Sequence, residues 1–204
     1  MKNLTHRAKT PPYCINVPTN PQPFAQIAMD LITGLPLSKG YDVILTIVDH
    51  GCSRATLFLP CKTMISGPQI AKLYLRHLYT WYGLPVKIIS DQDPQFTSHF
   101  GRGLAMELQI QQNISTAFHP QTDGLTERTN QWVEQYLRLI TSNQNEWSQW
   151  LPLATAVHNN AVNSSTGLAS NQLLIRINPL LIPDQKVTSN NQTATDRIQE
   201  LLQN

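Results

Sequence analysis

The chain has 204 residues, of which 41% are hydrophobic and only 14% are charged, and its formal net charge is +2. This length suffices for one domain with a sizeable core, while so small a charge does not by itself indicate a nucleic-acid-binding module. Three cysteines without a C-x-x-C pair imply neither a disulfide framework nor a zinc knuckle. No apolar run approaches the roughly 20 residues of a membrane helix, so no membrane partner is expected.

The N-terminal third combines a proline-rich arm with a run of strands. Residues 1–23 hold five prolines and three basic residues but no acidic ones, which predicts an extended arm. Apolar and β-branched residues then predict strands over 24–33, 41–50 and 54–60. Because short connections join these three strands, we expect them to form an antiparallel meander.

Helices and strands alternate in the rest of the chain. Apolar residues at helical spacing predict a helix over about 67–82, with a core-facing stripe of Ala71, Tyr74, Leu75, Leu78 and Trp81. The pattern further predicts strands at 86–90 and 113–117 and helices at about 97–109, 124–142 and 146–159. This order predicts an α/β fold whose mixed sheet carries helices on both faces.

Three carboxylates stand out by their placement. Asp30 lies inside an apolar strand, Asp91 directly follows the apolar strand VKIIS, and Glu127 occupies the first turn of a long helix, away from its apolar stripe. A buried carboxylate is costly unless it is paired or binds a metal, and functional sites gather at the carboxyl ends of strands. The three acids could therefore converge on one or two hard cations such as Mg²⁺.

Each of these acids also has a structural explanation. Asp30 could face solvent on an edge strand, Asp91 could form a turn or cap a helix, and Glu127 could stabilise the positive end of the helix dipole. The residues alone leave these alternatives open.

The segments around the three acids carry a family resemblance. MDLITGLPLSKGYD, GLPVKIISDQDPQF, STAFHPQTDGLTERTNQ and LPLATAVHNNAVNSSTG resemble the integrase catalytic core of Ty3/gypsy-type LTR retrotransposons, within the retroviral integrase superfamily. The resemblance runs from about residue 24 to about residue 183. It extends to spacing, since 60 residues separate Asp30 from Asp91 and 35 separate Asp91 from Glu127, as in the family's D,D-35-E pattern.

The resemblance implies a fold and a set of site residues. The fold would be RNase H-like, with a five-stranded mixed sheet flanked by helices. Asp30, Asp91 and Glu127 match the catalytic carboxylates that bind Mg²⁺ or Mn²⁺. The positions that match residues near nucleic acid are His119, Gln121, Thr122, Arg128, Asn130 and Gln131.

The implied activity is that of a metal-dependent polynucleotidyl transferase and endonuclease, which processes 3′ ends of retroelement DNA and transfers them to target DNA. The implied partners are those two DNAs, with RNA as a further candidate, and other copies of the chain in a homodimer or higher multimer. The implied location is the nucleus, with a cytoplasmic particle stage. Two alternatives remain: a silent or co-opted fragment that binds nucleic acid or protein, and an RNase H-type nuclease acting on RNA–DNA hybrids.

The resemblance also suggests a domain organisation and two departures from the family. Residues 1–23 would be what remains of a linker after a missing zinc module, 24–183 the catalytic core, and 184–204 a linker with a truncated helix. His50 stands where such sequences usually carry Arg, and Asp93 stands where Gly is common. Asp93 adds a negative charge two residues from Asp91, where it could perturb the metal site.

Overall fold

The computed structural model describes residues 22–90, 94–108, 115–118, 124–141 and 144–176. The strands are β1 (Gln26–Ile32), β2 (Val43–Asp49), β3 (Thr56–Cys61), β4 (Lys87–Ser90) and β5 (Ser115–Phe118). The helices are α1 (Gly67–Tyr74), α2 (Thr80–Tyr82), α3 (Pro94–Leu108), α4 (Gly124–Ile140), α5 (Trp147–Asn160) and α6 (Ser170–Ile175). A π-helical segment (Leu75–Tyr79) joins α1 to α2, and a 3₁₀ turn (Gln144–Glu146) precedes α5.

The strands form one mixed sheet in the order β3-β2-β1-β4-β5. β1 pairs antiparallel with β2, and β2 with β3, so the predicted meander is confirmed. β4 runs parallel to β1, and β5 runs parallel to β4. The α/β class and the mixed sheet are therefore confirmed, and β1 is the middle strand. The alternative that Asp30 lies on an edge strand is wrong, because β1 has a hydrogen-bonded neighbour on each side.

Alternation along β1 divides the core between the two faces of the sheet. Ile27 and Met29 are buried on one face, in a cluster that also takes in residues of α1 and α3. Ile32 is buried on the other face with residues of α4 and α5. Successive strand residues point to opposite faces, so Asp30 lies on the α4 side together with Ala28.

Two glycines let α1 and α3 cross closely beneath the sheet. A Cβ at Gly67 would lie 2.5 Å from the backbone carbon of His99, and a Cβ at Gly103 would lie 2.8 Å from the Cα of Pro68. Neither distance is compatible with a side chain, so this layer depends on glycine at both positions.

The helix predicted over 67–82 forms, but one residue of its stripe is misplaced. Ala71, Tyr74 and Leu78 are buried as predicted, whereas Trp81 is 78% exposed. The reason is the π-helical segment, whose wider turn shifts the phase of the residues that follow it. Tyr82 takes the inward position instead and packs on Phe24, with ring centroids 4.6 Å apart.

An aromatic cluster packs α4 against the sheet and against α5. Trp132 of α4 stacks on Phe58 of β3 and on Tyr136 one turn further along the helix. The ring of His158 from α5 meets both Trp132 and Phe58 edge-on. α4 is thereby held against the same face of the sheet as Asp30. The helix after α5, α6, was not predicted.

Several predicted segments lie outside the described residues. They include the arm at 1–21, the linker and helix predicted beyond residue 183, and the domain boundaries that rest on them. Within the described ranges, no helix combines the length and apolarity needed to cross a bilayer.

We predict that Asp49→Ala destabilises the fold by about 2–3 kcal/mol. Asp49 is fully buried at the end of β2, where its carboxylate accepts bonds from the Ser53 amide (2.8 Å), the Ser53 hydroxyl (2.6 Å) and the Cys52 amide (3.2 Å). Urea unfolding measures the loss. Asp42→Ala is the matched control, since Asp42 accepts similar bonds from Thr63 at a more exposed turn. An equal or larger loss in the control would contradict the prediction.

We also predict that the fold loses stability in mild acid partly through His158. Burial lowers the pKa of this imidazole, and a hydrogen bond with Asn159 offsets the shift only in part. As the pH falls, the unfolded chain therefore takes up this proton at a higher pH than the folded chain does. The stability that His158 contributes is present above about pH 6.5 and is lost as the pH falls below that value.

His158→Leu should reduce the difference between urea midpoints measured at pH 7.5 and pH 5.5. Some difference should persist, because burial also lowers the pKa of His50. His99→Gln, a change at an exposed histidine of α3, serves as the control. The same midpoint difference in His158→Leu and the parent chain would refute this role.

Candidate active site

Asp30 is a partly buried carboxylate on the middle strand of the sheet. Its Oδ1 accepts a hydrogen bond from the Leu31 amide at 2.7 Å, and its Oδ2 accepts one from Asn130 Nδ2 at 2.6 Å. Both oxygens are thus held by donors, and charge-assisted bonds of this kind are among the strong ones in proteins. The carboxylate has a defined orientation on the α4 side of the sheet.

Glu127 and Asn130 lie one turn apart on α4. Glu127 is exposed in the first turn of the helix, and Asn130 is partly buried. Residues three apart share a side of a helix. Glu127 therefore lies on the same side of α4 as Asn130, whose side chain contacts Asp30. Leu125 packs on Ala28 next to this position and fixes the start of the helix on the sheet.

The bond from Asn130 to Asp30 therefore places the first turns of α4, which carry Glu127, over the strand that carries Asp30. Asp91 directly follows the last residue of β4, Ser90, and lies outside the described residues, as does Asp93. Within the described part of the chain, no three His, Cys, Asp or Glu side chains form a group that could hold a metal ion. The oxygen donors of Asp30 and Glu127 suit a hard cation such as Mg²⁺, which prefers carboxylate ligands and retains some of its waters.

The residues predicted to lie near nucleic acid fall into two sets. His119, Gln121 and Thr122 lie outside the described residues, so their role stays a prediction. Arg128 and Gln131 are exposed on α4, as a contact with DNA would require.

Arg128 lines a cavity beside α4. Its Nε donates to the carbonyl of Gly124 at 2.7 Å, which directs the guanidinium back towards the start of the helix. The cavity has a volume of about 280 Å³, and none of its lining residues is acidic. They are Leu125, Arg128, Thr129, Trp132, His158, Ala161, Val162, Asn163, Ser164 and Ser165. The only charge in this lining is the arginine, which suits an anionic group such as phosphate.

Two contacts of Asn130 were not predicted from the sequence. Asn130 was expected near DNA, and the structure adds its bond to the carboxylate of Asp30. Thr46 of β2 donates its hydroxyl to Asn130 Oδ1 at 2.8 Å and is fully buried. The available signal was a hydroxyl residue in the middle of the otherwise aliphatic run VILTIV. A buried polar side chain in such a run needs a partner.

Sequence comparison identifies relatives among retrotransposon polyproteins. The Tf2-3 and Tf2-4 polyproteins of Schizosaccharomyces pombe (strain 972 / ATCC 24843) are each 34% identical to the chain over 168 residues, which is 82% of the chain. The same match covers 12% of each polyprotein, so the chain spans only a small part of their length. No protein-family model matches the chain.

Structural comparison identifies the fold. A chain of the simian T-cell lymphotropic virus intasome, solved in complex with the PP2A regulatory subunit B56 gamma, matches 87% of this chain and 63% of its own length, with a TM-score of 0.59 and 19% identity. The HTLV-2 integrase catalytic core domain, solved in complex with magnesium in a trimeric form, matches 75% of this chain and 97% of its own length, with a TM-score of 0.53 and 20% identity. The chain therefore belongs to the family of the Ty3/gypsy-type retrotransposon polyproteins, and it has the fold of an integrase catalytic core.

Proposed function

We propose that the chain is a metal-dependent polynucleotidyl transferase that processes 3′ ends of retroelement DNA and joins them to target DNA. Asp30, Asp91 and Glu127 would hold Mg²⁺ or Mn²⁺. The observation that carries this proposal is the bond between Asn130 and Asp30. It ties the helix side that bears Glu127 to a carboxylate on the middle strand, which is the arrangement that a shared cation requires.

The pairing of β1 with β4 supports including Asp91. Ala28 pairs with Ile89 in the parallel register of these strands. Two residues further along the sequence, Asp30 follows Ala28 and Asp91 follows Ile89. Neighbouring parallel strands that ended in this register would offer the two carboxylates side by side, an arrangement suited to one or two shared divalent ions.

The chemistry proposed for the site divides between cation and protein. A bound divalent cation would supply Lewis-acid stabilisation of a phosphodiester under in-line attack. The chain's own residues would bind and orient: the three carboxylates hold the cation, and Asn130 fixes Asp30. Arg128 would contact a phosphate. No side chain need act as a covalent nucleophile, because water or a 3′-hydroxyl attacks directly.

The proposed partners are DNA and further copies of the chain. The HTLV-2 core was solved with magnesium as a trimer, and the simian viral chain is part of an intasome. We propose that this chain likewise acts as a homodimer or higher multimer on retroelement and target DNA in the nucleus, where its target would lie. The net charge of +2 gives little general attraction to DNA, so binding by this chain should be weak, and it should weaken further as salt screens its phosphate contacts.

The test is metal-dependent nicking and strand joining on a labelled DNA duplex. We expect Asp91→Asn and Glu127→Gln each to lower the rate by at least about 100-fold, because each removes a carboxylate that would hold the charge-stabilising cation. The matched control is Glu134→Gln on the same helix, where the glutamate instead pairs with Arg138 at 3.2 Å. Its rate should stay within about twofold of the parent chain, since surface ion pairs contribute little.

Equal rates in the parent chain and in the Asp91→Asn and Glu127→Gln variants would refute the assignment of the carboxylates. A parent chain that binds DNA but shows no cleavage or joining with either Mg²⁺ or Mn²⁺ would favour the alternative of a co-opted nucleic-acid-binding protein.

A further inference from the structure

Thr46 occupies the position of β2 directly opposite Asp30. The two residues are partners in the antiparallel register of β1 and β2, so their side chains share the face on which α4 lies. Asn130 reaches down from α4 to both of them. Its Oδ1 accepts from the Thr46 hydroxyl at 2.8 Å, and its Nδ2 donates to Asp30 Oδ2 at 2.6 Å.

The chemistry of the three groups fixes the direction of each bond. An ionised carboxylate only accepts hydrogen bonds, so Asn130 must present its NH₂ group to Asp30. The amide oxygen then necessarily faces Thr46, which must donate its hydroxyl proton. With the amide reversed, its oxygen would face Oδ2 of Asp30. The amide oxygen and Oδ2 would then both lose the hydrogen-bond donors that they have now.

We infer that Thr46 is a positioning residue for the metal centre. The acceptor-only carboxylate of Asp30 sets the amide orientation of Asn130, and the Thr46 hydroxyl holds it there by donating to the amide oxygen, which in turn holds Asp30 in one orientation. The role in metal binding rests on the proposed function, whereas the effect on the amide does not. Groups that orient a metal ligand from behind typically change metal affinity by about 10–100-fold when they are removed.

Burial makes the hydroxyl of Thr46 hard to replace. Thr46 is fully buried between the aliphatic neighbours Leu45 and Ile47, and Asn130 is partly buried. Water therefore has poor access to the amide oxygen should the hydroxyl be lost. An amide oxygen that is buried without a hydrogen-bond donor carries a desolvation cost. The Asn130 side chain can reduce this cost only by turning or by moving away from Asp30.

Thr46→Val and Thr46→Ser separate positioning from packing. Valine keeps the branched shape and removes the hydroxyl, whereas serine keeps the hydroxyl and loses a methyl group. Thr46→Ala removes the hydroxyl as well and replaces the valine variant if that one does not fold. Circular dichroism establishes that each variant is folded.

The first measurement uses the whole chain without metal. NMR of the Asn130 side-chain amide reports its hydrogen bond to Asp30 through slowed hydrogen exchange and a downfield proton shift. We expect both signatures in the parent chain and in Thr46→Ser, and their loss in Thr46→Val. Asp30→Ala, which removes the acceptor, provides the reference for an amide without this bond.

The second measurement is calorimetric titration of the same proteins with Mn²⁺ and Mg²⁺. We expect about tenfold weaker binding in Thr46→Val and affinity within about twofold of the parent in Thr46→Ser. Unchanged amide exchange and unchanged metal affinity in Thr46→Val would overturn the inference, and so would equal losses in the serine variant. If the parent chain binds neither ion, the proposed function fails, and the amide measurement alone then decides whether Thr46 orients Asn130.

Discussion

A carboxylate on the middle strand of a sheet is the constraint around which this molecule is organised. Asp30 lies between two paired strands and beneath a helix, where an ionised group must be compensated by hydrogen bonds or by a cation. The compensation comes from α4 through Asn130 and from the backbone at Leu31. The position of α4 therefore determines whether Oδ2 of Asp30 has its hydrogen bond from Asn130. The aromatic cluster at Trp132 in turn determines the position of α4.

The fold could largely be predicted because it follows from local patterns. β-branched runs and short turns predict the meander, and helical spacing of apolar residues predicts α4 and α5. Trp81 was placed wrongly because the prediction assumed a uniform helical period, and one π turn was enough to turn Trp81 outward and Tyr82 inward. No feature of a single sequence gives the energy of such a turn, which depends on how the helix packs. The short α6 has too few residues to show any period.

The sequence singles out the candidate carboxylates but not the contacts that hold Asp30. Asp30 and Glu127 could be singled out because their neighbours in sequence are informative. The bond from Asn130 to Asp30 joins residues 100 positions apart, and the partner of Thr46 is 84 positions away. Pairings of this kind depend on sheet register and on helix docking. A sequence can reveal only that a polar residue such as Thr46 is buried and needs a partner.

The sheet combines two kinds of connection, and this has a consequence for how the chain acquires its structure. β1, β2 and β3 are joined by short turns within 26–61, whereas β4 and β5 reach the sheet only through helices. Contacts between residues close in sequence cost less chain entropy to form than distant ones. We therefore expect Asp30 and Thr46 to meet early, in a hairpin, and Asn130 to arrive later with α4. During that interval Asp30 still faces water, so the chain covers this carboxylate only when the group that compensates for it is in place.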